Sequence, residues 1–136
     1  MAWSQHLAVL PVLLPLVAGS LMVLAGDRRR LFGQVLGLAS AVALLAVAVA
    51  LLAVSDDGVA RVYRLGDWPS SFGIVLVLDR LSAMMLVLSA TLGLSALLHA
   101  GTRRETPGAY FQPLFQFQLM GLNGAFLTGD LFNLFV

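Results

Sequence analysis

Apolar side chains dominate four stretches of this 136-residue chain, about 7–25, 31–54, 80–99 and 110–127, with short polar strings between them. Each approaches the length a helix needs to cross roughly 30 Å of hydrocarbon at about 1.5 Å per residue. The first run ends at Arg28, Arg29 and Arg30, and the second at Ser55-Asp56-Asp57-Gly58. The third stops before Arg103, Arg104 and Glu105, and the fourth at Thr128-Gly129-Asp130. Leu131 to Val136 is apolar again but far too short to cross a bilayer. Asp130 is a suitable N-cap for it, with its acid group at the positive end of a helix. The pattern over 130–136 therefore predicts the opening turn of a fifth span, and the chain reads as a fragment.

Residues 55–79 break the pattern. Val59 to Leu65 mixes β-branched, aromatic and basic residues, Gly66 to Gly73 is turn chemistry, and Ile74 to Leu78 is a short strand candidate. This predicts a β-hairpin on the outer face, with Trp68 near the headgroups and Asp79 capping the third helix. The fold class expected is all-α integral membrane, with one short external β-hairpin between helices 2 and 3.

Composition agrees, since 60% of residues are hydrophobic and 11% charged, against roughly 25% charged in soluble domains. The net charge of +1 gives no nucleic-acid footprint, because the arginines fall in short clusters between apolar runs. Without Cys there is no disulfide, thiolate metal site or thiol nucleophile, and the two His are far apart. No cofactor or metal is expected. Arginines follow the first run and none precedes it, which is a stop-transfer order rather than a signal peptide. Arg28, Arg29, Arg30, Arg103 and Arg104 lie in the first and third loops, against Arg61, Arg64 and Arg80 around the second. This bias predicts a multi-pass membrane protein with its first and third loops in the cytoplasm and its N-terminus outside.

Polar groups inside apolar runs carry the remaining information, because lipid cannot satisfy them. Gln112, Gln116 and Asn123 fall within roughly 40° of one another on a helix, forming one stripe. The stripe is either a polar path or amide-mediated helix packing. Packing is the favoured reading, since amides cannot titrate. In the third run Ser82, Ser89, Gly93, Ala96 and Ala100 share a face within roughly 60°, a close-packing seam. His99 is a relay candidate by its ordinary titration range, but a last-turn His beside Arg103 needs no special role. Gly33, Gly37 and Ala41 form a second small-residue stripe. Pro11, Pro15 and Gly19 suggest a kinked first helix whose freed carbonyls lie against neighbours. Asp79 and Asp130 are explained as helix caps. No Asp, Glu, Lys or Arg lies mid-span, so no catalytic or carrier residue is expected within these residues.

Two motifs point to a family. Gly121 to Val136, ending Gly-Asp-Leu-Phe-Asn-Leu-Phe-Val, resembles the junction of the fourth and fifth helices in the D subunits of Mrp-type multisubunit sodium/proton antiporters. Leu65-Gly66-Asp67-Trp68-Pro69, Gly73-Ile74 and Leu78-Asp79-Arg80-Leu81-Ser82 resemble that family's outer hairpin. The resemblance implies the N-terminal helices of a multi-span antiporter-like subunit, with other hydrophobic subunits, protons and a monovalent cation (Na+) as partners. It also implies a carrier glutamate just after Val136 and lysines further on. This sequence has no Lys, and no catalytic residue carries over. The competing readings are an antiporter-like subunit of NADH:quinone oxidoreductase or of a membrane-bound hydrogenase, and a small tetraspan scaffold.

Overall fold

The computed structural model describes residues 6–26, 30–64, 66, 69, 73–103, 108 and 110–135, with Phe132 and Asn133 as backbone only. Four long helices carry the fold: α1 Leu10–Ala25, α2 Arg30–Val54, α3 Arg80–Thr102 and α4 Phe111–Leu127. A short helix, α5 Leu131–Phe135, follows. Between α2 and α3 come a 3-10 turn at Ser55–Asp57 and two strands, β1 Arg61–Arg64 and β2 Val75–Leu78. The strands pair antiparallel, with Arg61 opposite Leu78 and Arg64 opposite Val75. Trp68, expected near the headgroups, lies outside the described residues. The helical stretch Arg30–Asp57 and α3 are each long and apolar enough to cross a bilayer; α1 is apolar and shorter.

Local chemistry explains the helix ends. The first apolar run opens at Leu7, but α1 begins only at Leu10, with Pro11 in its first turn where a missing N–H costs nothing. At the end of the second apolar run, the Arg61 guanidinium reaches back to the Val54 carbonyl and to Asp57, 2.7 Å away. This covers one of the carbonyls that the end of α2 leaves without a partner. Arg80, at the start of α3, faces Asp56 at 3.6 Å. Two of the three arginines on this side, Arg61 and Arg80, therefore stand beside acidic groups.

The most extensive helix contacts are α1 with α4 and α2 with α3, and α4 touches all three other long helices. The core cluster joins Leu44, Ala48 and Leu51 of α2 to Ala83, Leu86 and Ala90 of α3, Leu119 and Leu127 of α4, and Leu76 and Leu78 of β2. Small residues recur on the buried faces, with Gly37, Ser40, Ala41 and Ala48 on α2. In lipid, burying Leu gains little over leaving it in acyl chains, so close backbone approach and dispersion hold helices together. Each long helix leaves large apolar side chains on its outer face, including Val17, Leu24, Val42, Val49, Leu88, Leu92 and Leu114.

The small-residue seam expected on α3 is divided in the structure. Ser89 and Gly93 are buried, and a Cβ on Gly93 would stand 3.0 Å from Leu119 of α4. Ala96 is exposed, and Ser82 and Ala100 are half-buried. The cause is competition for the helix surface. The more deeply buried Ala83, Leu86 and Ala90 join the cluster shared with α2, so α4 meets only the middle of the small stripe.

The hairpin is part of the fold rather than a free flap. Leu76 and Leu78 point into the core, while Val75 and Val77 are half-buried, the period of a strand with one buried face. The free edge of β2 is taken by the α4–α5 connection. Gly129 N–H donates to the Val75 carbonyl at 2.9 Å, and Leu76 bridges Thr128 antiparallel. An exposed strand edge is thereby closed.

Candidate functional site

The polar stripe of α4 faces inward, and its two wholly buried members lace α4 to the other three long helices. Gln116 sits between α4 and α2. Its Oε1 accepts from Ser40 Oγ at 3.2 Å, and its Nε2 donates to the Gly37 carbonyl at 3.3 Å. Asn123, seven residues further along, spans α1 and α3. Its Oδ1 accepts from Ser89 Oγ at 3.1 Å, and its Nδ2 donates to the Pro11 carbonyl at 2.9 Å. That carbonyl is free for a covalent reason. Its partner within a helix would be the N–H of residue 15, and Pro15 has none.

Gln112, one turn before Gln116, differs from both. Its Oε1 is buried and has no hydrogen-bond partner among the described residues. It stands over Gly37, only 2.6 Å from where a Cβ on that residue would lie, beside the Met22 methyl. Three neutral amides thus share a face, two satisfied by protein and one not. None can carry charge, and they bind through dipoles.

His99 is not brought to this stripe. It is exposed in the last turn of α3, where Arg103 Nε donates to its Nε2 at 3.2 Å and its carbonyl accepts from Thr102 Oγ1 at 2.8 Å. Among the described residues no three His, Asp or Glu side chains converge as metal ligands.

Asp79 is the N-cap of α3, with extended backbone and a side-chain oxygen accepting the Ser82 N–H at 2.6 Å. The Ser82 hydroxyl, and then its N–H, hold the Asp79 carboxyl below the ordinary carboxylate range. A carboxyl depressed by folding contributes stability that is present above its unfolded value, about 3.9, and lost as pH falls through its folded value. Asp79→Ala should therefore cost about 1 kcal/mol at neutral pH, a typical cap contribution. Thermal unfolding in detergent should show that gap narrowing as the pH falls below the unfolded value, about 3.9. A gap that does not narrow at any pH below that value would contradict the cap assignment. Asp130 directly precedes α5, and its backbone carbonyl accepts the Leu134 N–H at 3.0 Å.

Several of these partners carried little signal in the sequence. Ser40 is a lone hydroxyl in an Ala/Leu/Val run, legible only because lipid cannot satisfy it. Tyr63, on β1, meets His6 edge-on with ring centroids 6.0 Å apart, and its hydroxyl lies 3.4 Å from His6 Nδ1. Nothing in the local sequence announces that pairing between the segment before α1 and the hairpin.

No protein-family model matches the chain. It is 45% identical, over 98% of its own length, to the D subunit of a probable K(+)/H(+) antiporter of Rhizobium meliloti. It is 40% identical, over 97% of its length, to the D subunit of the Na(+)/H(+) antiporter of Alkalihalophilus pseudofirmus. A shorter match, 42% identical over 54% of the chain and 16% of the relative, is to the N subunit of the NADH-quinone oxidoreductase of Desulforudis audaxviator. Among solved structures, the Mrp complex from Dietzia sp. DQ12-45-1b superposes with a TM-score of 0.86 at 34% identity. That superposition covers 99% of this chain and 25% of the chain it matches. The chain spans about a quarter of the antiporter relatives' own length, 26% and 27% for the two D subunits.

Proposed function

We propose that this chain, a relative of the D subunits of multisubunit cation/proton antiporters, supplies the structural frame of such a subunit in proton translocation coupled to cation efflux. The observation that carries this reading is the 45% identity to an antiporter's D subunit over 98% of the chain. The relatives are named for different ions, a probable K(+)/H(+) antiporter in one case and a Na(+)/H(+) antiporter in the other, so the cargo is taken as a monovalent alkali cation. Further hydrophobic subunits are the expected partners.

The amide stripe is read as framework. Each buried amide of the pair Gln116 and Asn123 spends its oxygen and nitrogen on groups of other helices. Neither offers a group that titrates, and a carrier of protons requires one. The chain reconstituted alone in vesicles is therefore expected to show no cation-dependent proton exchange above empty vesicles. Robust sodium-driven pH change would place a carrier within these residues, with His99 and Asp130 as first suspects. The complementary test is a chimera. Substituting this chain for the matching quarter of the Alkalihalophilus pseudofirmus protein should preserve exchange in everted membrane vesicles of an antiporter-deficient strain. Full assembly without exchange would overturn the functional reading.

Orientation is proposed as N-terminus outside. Arg61 and Arg80 stand beside Asp57 and Asp56, so the hairpin side carries less uncompensated positive charge than the arginine count suggests. Cysteines introduced at Ser70 and Thr102 of this Cys-free chain should label from opposite faces, Ser70 from outside. The second reading, a component of a quinone-linked oxidoreductase, is favoured only by the shorter match to the Desulforudis audaxviator protein. Neighbouring genes for iron–sulfur or flavin proteins would support it.

A further inference from the structure

We propose that the junction of α1, α2 and α4 around Gln112 is a water-binding site, in which an internal water bridges the Gln112 and Gln116 amides. The proposal concerns binding of water and does not depend on the antiporter reading.

One atom sets the requirement. Gln112 Oε1 is buried and without a hydrogen-bond partner among the described residues. A buried amide oxygen with no donor costs roughly 1–3 kcal/mol by protein mutational data and more in hydrocarbon. Its contacts cannot relieve this. It and the Met22 methyl both lie against Gly37, 2.6 and 3.4 Å from where a Cβ on that residue would stand, and a Cα–H contact is at most a weak substitute.

The neighbouring groups supply what a water needs. Gln116 lies one turn on, on the same face, and side chains so spaced have Cβ atoms roughly 5–6 Å apart. Its Nε2 donates one N–H to the Gly37 carbonyl, and an amide nitrogen carries two. A water between the pair can accept the second N–H and donate to Gln112 Oε1. An ordered internal water typically makes two to four hydrogen bonds. Ser40 Oγ, which donates to Gln116 Oε1, retains acceptor capacity for a third.

The packing against α2 loosens one turn away. Gly33 lies one turn before Gly37 on the same stripe of α2. A Cβ on Gly37 would meet Gln112 and Met22, whereas one on Gly33 would meet nothing within 4 Å. The surface of α2 is thus filled at Gly37 and open one turn earlier, at Gly33, towards the start of the helix. Asn123 differs because both of its polar atoms are paired with protein.

Hydroxyl-radical footprinting of the chain in lipid nanodiscs tests this, because radicals generated from a bound water oxidise the nearest thioether. Met22 is 6% exposed and Met84 is 50% exposed on the outer surface. Despite that order, Met22 is expected to oxidise faster than lipid-facing Met84. Gln112→Leu, which removes the amide, should reduce Met22 oxidation at least roughly fivefold, since an apolar cavity stays dry. Met22 oxidising no faster than Met84, or unchanged in a folded Gln112→Leu variant, would overturn the site. Should that variant fail to fold, the unmodified chain still decides. The Gln112 and Gln116 side-chain amide protons should show magnetisation transfer from water in NMR spectra, and its absence at both would overturn the proposal.

Discussion

Asn123→Leu is expected to destabilise the helix bundle by about 2 kcal/mol, more than the average interhelical hydrogen bond in membrane proteins contributes. Leu keeps the branched, four-atom outline of the Asn side chain, so the loss is assigned chiefly to two stranded groups. The Ser89 hydroxyl can turn back to a carbonyl of its own helix, as Ser20, Thr91 and Ser95 already do. The Pro11 carbonyl has no such recourse, because the N–H that would bind it inside α1 is missing at Pro15. Most of the cost should therefore sit at Pro11. A double-mutant cycle with Pro15→Ala isolates it. Alanine restores the N–H, and in that background Asn123→Leu should cost about 1 kcal/mol or less. Unfolding in mixed micelles measures both. Equal costs in the two backgrounds would show that the Asn123–Pro11 bond does not do what its geometry implies.

Gly129→Ala is expected to cost about 2 kcal/mol, within the range for overpacking a filled site. A Cβ at Gly129 would stand 2.4 Å from Val77 Cγ2. Val77 cannot easily yield, since a β-branched side chain has few rotamers and its strand is held in register opposite Val62. The backbone cannot yield without loss either, because the Gly129 N–H is bonded to the Val75 carbonyl. The predicted consequence is release of β2 from the α4–α5 connection. Hydrogen exchange at the residue 129 amide should accelerate by roughly tenfold or more, a local opening of at least about 1.4 kcal/mol. Val77→Ala should rescue the double variant, since it removes the opposing methyl. A slow amide in Gly129→Ala, or no rescue by Val77→Ala, would mean that the hairpin is held elsewhere.

Both predictions concern contacts between residues far apart in the chain, and that divides what the sequence could tell from what it could not. Helix positions follow from composition and length, because lipid enforces internally satisfied backbone over each apolar run. The hairpin strands follow from β-branched and aromatic runs bounded by Gly and Pro, and the Asp79 cap from an acidic residue three before Ser82. The shared face of Gln112, Gln116 and Asn123 follows from helical periodicity. The availability of a carbonyl four residues before Pro15 is covalent chemistry, readable from the sequence alone. What periodicity cannot supply is the partner. Only the tertiary structure decided that the freed carbonyl meets Asn123, that Ser40 meets Gln116, and that Gln112 meets no donor among the described residues. Small-residue stripes were readable as sticky faces but not as choices. Ala96 and Gly33 sit on such stripes and remain open, because a neighbouring helix covers only the part of a stripe that its crossing allows. Local sequence determines which groups need a partner, while the crossing of helices across the bundle determines which of them obtain one.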